Sequence, residues 1–562
     1  MRQDQAVVIH SAPAARGFAR VRLLILGGTM KQRSYALLAA GTGAVLLLSA
    51  CSSGSTSASG GSGEPVTDGT FTLALGADPG ALNPLMTAAS PAHELARLSY
   101  DYLIYPNPET GVTEPWLAEK WTETPSSVEF TIRDGVTCSD GSALTAQTVA
   151  DNISFVTDES KGSALRGVYV PKKASATADV TTRTVTVSTP EPSPFLMLNL
   201  ARMPIMCNAG LEDPTAANKA TIGSGLFTMT EAVANDHYSY TRRDGYDWGP
   251  DDTTTSTAGV PKNVVVTIVT NSSTSTNQLL SGDLNAAEVS GPDQDRLDSA
   301  NLTTFKRPAP GGEMFFNHIA GNPTSDPAVR KALVQALNLD DLSEVFTGGR
   351  GERSTSMVSV EPRACTYNSI EGNLPEFDLG AAKSTLDAAG WKAGSDGKRS
   401  KDGTPLNIRL NYESFGDSTN AAADLAQQAW SELGATVVII GGDSNKILDL
   451  VLSGKDNTAW DVAWEPIAVA LPSMLVPFLS GPAPAEGLNF SSIANPAYDT
   501  AVAKASGLVG DDACAAWADA ESQIIKSVSA VPFVDRVKTV YFKNSGLAFG
   551  RTYIGSALRL YQ

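Results

Sequence analysis

The sequence predicts an α/β protein with a strand-rich first half and a second half that alternates strand and helix. Three observations carry this. Short runs with period-two alternation, each closed by turn residues, recur between Phe71 and Val269. Past Asp326, apolar residues recur at helical spacing behind capping residues. Leu406–Tyr412, a helical stretch and Thr436–Ile440 then follow at the spacing of a βαβ unit, which requires parallel strands.

In chain order, Phe71–Gly76 (FTLALG) alternates like a strand, as do Val128–Gly135 and Arg183–Pro190. Phe227 to Tyr240 reads as a hairpin around Asn235-Asp236, and Val264–Val269 as a buried strand. Asp326-Pro327 opens a helix with Val329, Leu333, Ala336 and Leu337 on one face. Asp378 caps the next, which carries Ala382, Leu386 and Ala389 and stops at Gly390. The βαβ helix is expected to point Ala422, Leu425, Ala429 and Leu433 inward and to end at Gly434, with a further strand at Trp460–Val462.

The chain has 562 residues, 42% hydrophobic and 18% charged, with a formal charge of -18. Length alone suggests about three or four structural units. The acidic balance argues against nucleic acid as a partner, because phosphate binding needs a basic surface. Four histidines argue against a His-rich metal enzyme, and five cysteines are too few for a disulfide scaffold.

The N-terminus reads as an address. Lys31 and Arg33 form a basic region, Tyr35–Leu48 is apolar, and small residues follow at 49–50. This is the pattern of a signal peptide over 30–50, too short for a comfortable membrane span of ~20 residues. Leu48-Ser49-Ala50-Cys51 resembles a bacterial lipobox of the actinobacterial type, which implies cleavage before Cys51 and lipidation of its thiol. Residues 51–69 are dominated by Ser and Gly and are expected to form a flexible tether of roughly 20–25 Å reach. Residues 1–29 precede this signal and are expected to be an extension from a mis-assigned start. Six Lys/Arg and one acid lie within residues 1–50, so the chain beyond them carries about -23. The expected location is the outer face of the cell membrane.

Enzyme signatures are poor. Ser395-Asp396-Gly397-Lys398 fits Ser-x-x-Lys and Ser418-Thr419-Asn420 fits Ser-x-Asn, but Ser395 sits in a turn-like run and no Lys-Thr-Gly follows. Gly-x-Ser-x-Gly, His-Glu-x-x-His and Walker patterns are absent from the sequence. The expectation is a binding protein without catalysis, resident metal or cofactor. The competing readings are a secreted hydrolase with an unrecognised site and an envelope sensor or chaperone.

Several segments, in order from about residue 70 to 560, resemble one family: the large solute-binding proteins of ABC importers, the dipeptide/oligopeptide/nickel group (family 5). They are Ala74–Pro84, Tyr102-Leu103, Pro115–Glu123, Val128–Val149, Ile222–Glu231, Arg242–Gly249 and Phe315–Asn338. The resemblance implies a two-lobe periplasmic-binding-protein fold that closes on a solute. It places lobe I at 70–310, with an inserted subdomain at about 90–215, lobe II at 311–535, and a return to lobe I at 536–562. It further implies a monomer that takes a peptide or small-molecule ligand and works with ABC permease subunits.

The same resemblance nominates the site. Trp464 becomes an aromatic wall, and Glu465, Glu313 and Met314 become cleft residues, facing Tyr102 and the Ala88–Pro91 loop. Arg353, in the Gly-rich loop 348–355, is a candidate partner for a carboxylate. Leu471 stands where the family carries an acid for a peptide amine, which leaves Glu465 and Glu313 as counter-charges and favours a peptide-like solute over a simple dipeptide. Nickel and haem are weaker options, since His318 is the only histidine after His237. Beyond Cys51 the cysteines number four, an even count that suits disulfides in an exported protein. Four allow three connectivities. The resemblance assigns Cys138 and Cys207 to the inserted subdomain and Cys365 and Cys514 to lobe II, so pairing within each is expected.

Overall fold

The computed structural model describes residues 63–107, 112–361, 363–442, 444–548 and 554–562. Residues 1–29, the expected signal peptide, Cys51 and the expected tether as far as residue 62 lie outside them. The expected tether is shorter at its far end: Val66 N–H donates to Leu560 O, Gln562 N–H donates to Glu64 O, and Pro65 bridges Tyr561. The Gly/Ser composition stops at Gly63, and Val66 offers an apolar side chain that packs on the lobe I core.

Strand β1 (Thr70–Leu75) begins the lobe I sheet and helix α1 (Ser90–Ser99) follows. The inserted part is a separate antiparallel sheet of β2 (Ala118–Thr124), β3 (Ser127–Ile132), β4 (Ser175–Asp179) and β5 (Thr184–Ser188), in the order β2-β3-β5-β4. Helix α2 (Ala146–Thr157) packs on it, capped by Thr145, whose hydroxyl accepts from Thr148 N–H. A disulfide joins Cys138 to Cys207, with Cα atoms 6.2 Å apart. The short helix α3 (Leu196–Leu200) follows. The chain then re-enters the main sheet as the hairpin β6 (Phe227–Val233) and β7 (His237–Arg242), turning at Asn235 with φ 61°. Buried Asp101 ties the two passages together by accepting from Ser224 Oγ, Tyr246 OH and Trp248 Nε1 at 2.9, 3.1 and 2.8 Å. Strands β8 (Asn263–Ile268) and β9 (Ala286–Val289) flank β1, both parallel to it.

The 14-residue strand β10 (Thr303–Phe316) leads into lobe II. Helices α4 (Pro327–Gln335), capped by Asp326, and α5 (Leu339–Thr347) follow, then α6 (Leu379–Ala388), capped by Asp378. The predicted βαβ unit forms: β11 (Asn407–Glu413) and β12 (Thr436–Gly442) are parallel, joined by α7 (Asp417–Glu432). The buried face of α7 differs from the expected one. Thr419, Ala422, Ala423, Ala426 and Trp430 are buried, while Leu425 and Ala429 are only half-buried. Trp430 decides this, because its Nε1 donates to Leu333 O of α4 at 2.9 Å and turns its own face of the helix inward. The last lobe II strand, β13 (Val462–Trp464), begins two residues later than expected. Helix α8 (Gly510–Lys526) carries Cys514, bonded to Cys365 at a Cα separation of 5.3 Å. Finally β14 (Ala530–Phe542) pairs antiparallel with β10 along nearly its whole length. Among the described residues, no helix is long and apolar enough to cross a membrane.

The main sheet runs β12-β11-β13-β10-β14-β9-β1-β8-β7-β6. Lobe I attaches to the two long strands through β9 on β14 (Val289 opposite Thr539), and lobe II through β13 on β10 (Trp464 opposite Met314). Between these attachments the ladder is irregular, with register shifts between Ala309 and Glu313. The sequence Pro308-Ala309-Pro310-Gly311-Gly312 dictates it. Proline cannot donate to the ladder. A Cβ on Gly311 would lie 2.5 Å from Val534 O, and one on Gly312 would lie 2.2 Å from the Phe533 ring. The strands cross from lobe to lobe at the one place where β10 has no side chains to keep them apart.

Candidate functional site

The site is built around that crossing. Just past the glycines, residues alternate between two cores, as strand geometry demands. Met314, Phe316, Val462 and Trp464 face one core of lobe II, and Phe315 and Ala463 face the other. Trp464 is 1% exposed, and its indole packs against Phe533, Phe346 and Tyr412 at 5.2, 6.1 and 6.1 Å. Its Nε1 has no hydrogen-bond partner among the described residues. Here Trp464 and Met314 are cross-strand core partners, because they share the side of the sheet that α5 covers. Tyr102 is buried in the lobe I core, 5.4 Å from Trp116, and burial pushes its hydroxyl up to about 12. The two rings expected to face one another thus belong to separate cores. Arg353 spends its donors on the protein itself: Phe533 O, Leu339 O at 3.2 Å and Asp340 at 3.0 Å. It fastens the Gly-rich loop to β14.

Glu313 and Glu465 are brought together. Glu465 N–H donates to Glu313 O at 3.2 Å, and Glu313 Oε2 accepts from Ile467 N–H at 2.9 Å, which fixes the segment after β13. Two further buried acids lie close. Asp535 accepts from Ser354 Oγ at 2.8 Å, and Glu521 accepts from Met357 N–H, Ser369 Oγ and Tyr367 OH at 2.6–2.8 Å. Burial raises the Glu313 carboxyl well above the usual carboxylate range. The Ile467 hydrogen bond opposes this, and Asp535, Glu521 and Glu465 add to it. Burial likewise raises Glu521, and lifts Asp535 to about 6.

Sequence reading missed the other side of the crossing. On β14, Arg536 donates from Nε to Pro310 O at 2.8 Å, and its guanidinium carbon sits 3.7 Å from the centre of the lobe II ring Phe415. Lys538 follows on the same face and reaches Glu288 at 3.2 Å. Arg307 of β10 pairs with Glu288 at 3.0 Å and approaches Glu94 of α1 at 4.0 Å. Burial would raise Glu288, but Lys538 and Arg307 outweigh it and hold the carboxyl low. Glu94 is raised by burial despite Arg307. Behind this row a cavity of about 40 Å³ lies between α1 and the sheet, lined by Leu73, Leu75, Leu95, Leu98, Val266 and Val540 among others. The basic residues at i and i+2 of a strand are visible in the sequence. Their stacking over an acid from β9 requires the pairing register. A second contact spans the lobes: Phe195, at the start of α3 with φ 60°, lies 5.9 Å from Trp517 of α8.

The raised Asp535 carboxyl gives a pH test. A carboxyl that titrates higher in the folded chain favours folding fully below its unfolded value, and that contribution is lost as pH rises through about 6. Asp535→Asn should therefore melt a few degrees above wild type at pH 7.5, with the gap shrinking as pH falls from 6 to 4. Thermal denaturation at both ends checks it, and a pH-independent gap would count against the assignment.

Comparison with known proteins agrees with this geometry. The family described as bacterial extracellular solute-binding proteins, family 5 (middle part), matches residues 112–483. The nickel-binding periplasmic protein of Escherichia coli (strain K12) is 26% identical over 395 residues, covering 65% of this chain and 71% of that protein. The oligopeptide-binding protein OppA of Bacillus subtilis (strain 168) is 24% identical over 439 residues, covering 72% and 76%. A substrate-binding protein from Microbacterium hydrocarbonoxydans, solved with 4-hydroxybenzoate hydrazide, superposes with a TM-score of 0.61 at 25% identity, over 87% of this chain and 99% of that one. With two lobes on a shared strand pair and the family match over most of the folded body, this chain belongs to the family 5 bacterial extracellular solute-binding proteins.

Proposed function

We propose that the chain is a lipid-anchored receptor of an ABC importer, which captures a peptide or peptide-like solute between its lobes and delivers it to a membrane permease. The observation that carries this is the crossing: the lobe I and lobe II parts of the main sheet are joined through the β10–β14 pair, irregular at Pro310–Gly312, so the lobes can rotate about it. A solute touching both lobes favours the closed arrangement by its differential contacts. Phe195 of lobe I against Trp517 of lobe II is a contact that such a rotation would make or break. The peptide reading draws support from the oligopeptide-binding relative and from the amide-like hydrazide bound by the Microbacterium protein. The nickel reading rests on one relative's name. Glu313 and Glu465 act on the solute indirectly, by setting the position of residues 465–467.

Stripped protein incubated with a tryptic digest of casein should retain peptides in native mass spectrometry. Retention of none, with the fold intact, would remove the peptide reading. For the anchor, Cys51→Ser should shift the protein from the detergent-soluble membrane fraction to the medium or leave it unprocessed. Wild-type partitioning of that variant would contradict lipidation.

A further inference from the structure

The segment 189–195 lies away from the crossing, yet it brings an aromatic ring of the inserted subdomain onto lobe II. Its sequence, Thr-Pro-Glu-Pro-Ser-Pro-Phe, places proline at every other position. Each proline fixes its own φ and drives the residue before it toward extended backbone, so the segment is a stiff arm. Two hydrogen bonds hold it to the turn between β2 and β3: Thr189 N–H donates to Ser126 O and Ser193 N–H to Pro125 O, both at 2.8 Å. Phe195 then takes the left-handed backbone region, with φ 60° and ψ 30°, which a bulky side chain occupies only where its surroundings enforce it. Chain neighbours are divided as a result. Leu196 and Leu200 of α3 are buried in the lobe I core, whereas the Phe195 ring packs on the lobe II core that holds Met357, Leu475 and Trp517. The receiving surface is equally fixed. Trp517 is buried in α8, with Cys514 bonded to Cys365 one turn before it and Glu521 accepting from Met357 N–H one turn after it.

We propose that the 189–195 arm is a clasp: Phe195, held out from the inserted subdomain, seats on Trp517 and stabilises the arrangement in which the lobes meet. Both sides are ordered before they touch, so the contact forms with little loss of conformational freedom. Apparent affinity scales with the fraction of protein already in the binding-competent arrangement, so the clasp strengthens solute binding without touching the solute. The inference rests on the receptor reading for its purpose, and its test uses no solute.

Small-angle X-ray scattering of stripped protein compares wild type with Phe195→Ala, Phe195→Asn and Phe195→Leu, each checked for an unchanged melting curve. Asparagine suits the left-handed region but lacks the ring, and leucine keeps an apolar side chain. Losing an aromatic pair should shift the balance toward separated lobes by roughly twofold to tenfold. The alanine and asparagine variants should therefore show a larger radius of gyration than wild type, with leucine closer to wild type. If the alanine variant does not fold, the asparagine variant decides. An asparagine variant as compact as wild type overturns the clasp, whether alanine expands or not, because the turn rather than the ring would then matter. Failure of wild type to retain casein peptides would remove the peptide reading and leave this comparison standing.

Discussion

Two strands have to serve two lobes at once, and the rest of the structure follows from how they do so. β10 and β14 pair from Thr303 opposite Phe542 to Phe315 opposite Ala530, while β9 of lobe I pairs with β14 at one end and β13 of lobe II with β10 at the other. A continuous regular ladder would make a single stiff sheet. The prolines remove donors and the glycines remove side chains, so the strands stay in contact while the ladder slips. The same approach leaves Glu313, Glu465, Asp535 and Glu521 buried close together, and burial opposes ionisation of Glu313, a tendency that the charges of the other three reinforce.

The two faces of the crossing do different things. One is apolar: Trp464, Phe533 and Phe346 belong to a single packed lobe II core. The other is charged and shared: Arg536 touches lobe II through Phe415, while Lys538 and Arg307 converge on Glu288 of lobe I. Charged side chains at a hinge can exchange partners at modest cost, whereas a packed aromatic core cannot. This asymmetry is why the charged face is the place to look for the solute.

Local features were legible in the sequence and pairing features were not. Asp326 and Asp378 announced their helices, Asn235 its hairpin, and the βαβ spacing its parallel strands, because each signal lies within a few residues of its effect. The disulfides were legible only through resemblance, and both pairs formed as expected. Trp464 was misleading. Its family position suggests a pocket, but its side of the sheet depends on the register with Met314, which no local pattern encodes. The buried face of α7 shifted for a similar reason, since the Trp430–Leu333 bond joins positions 97 residues apart. Arg307, Lys538 and Glu288 come from three strands and converge only once the fold exists.

The central claim is that the lobes move about the β10–β14 crossing and that a solute draws them together. Small-angle X-ray scattering of the purified protein, stripped of solute and then saturated with casein peptides, measures this directly. The account predicts a smaller radius of gyration and a narrower distance distribution after saturation. An unchanged scattering curve from protein that mass spectrometry shows to be loaded would contradict it.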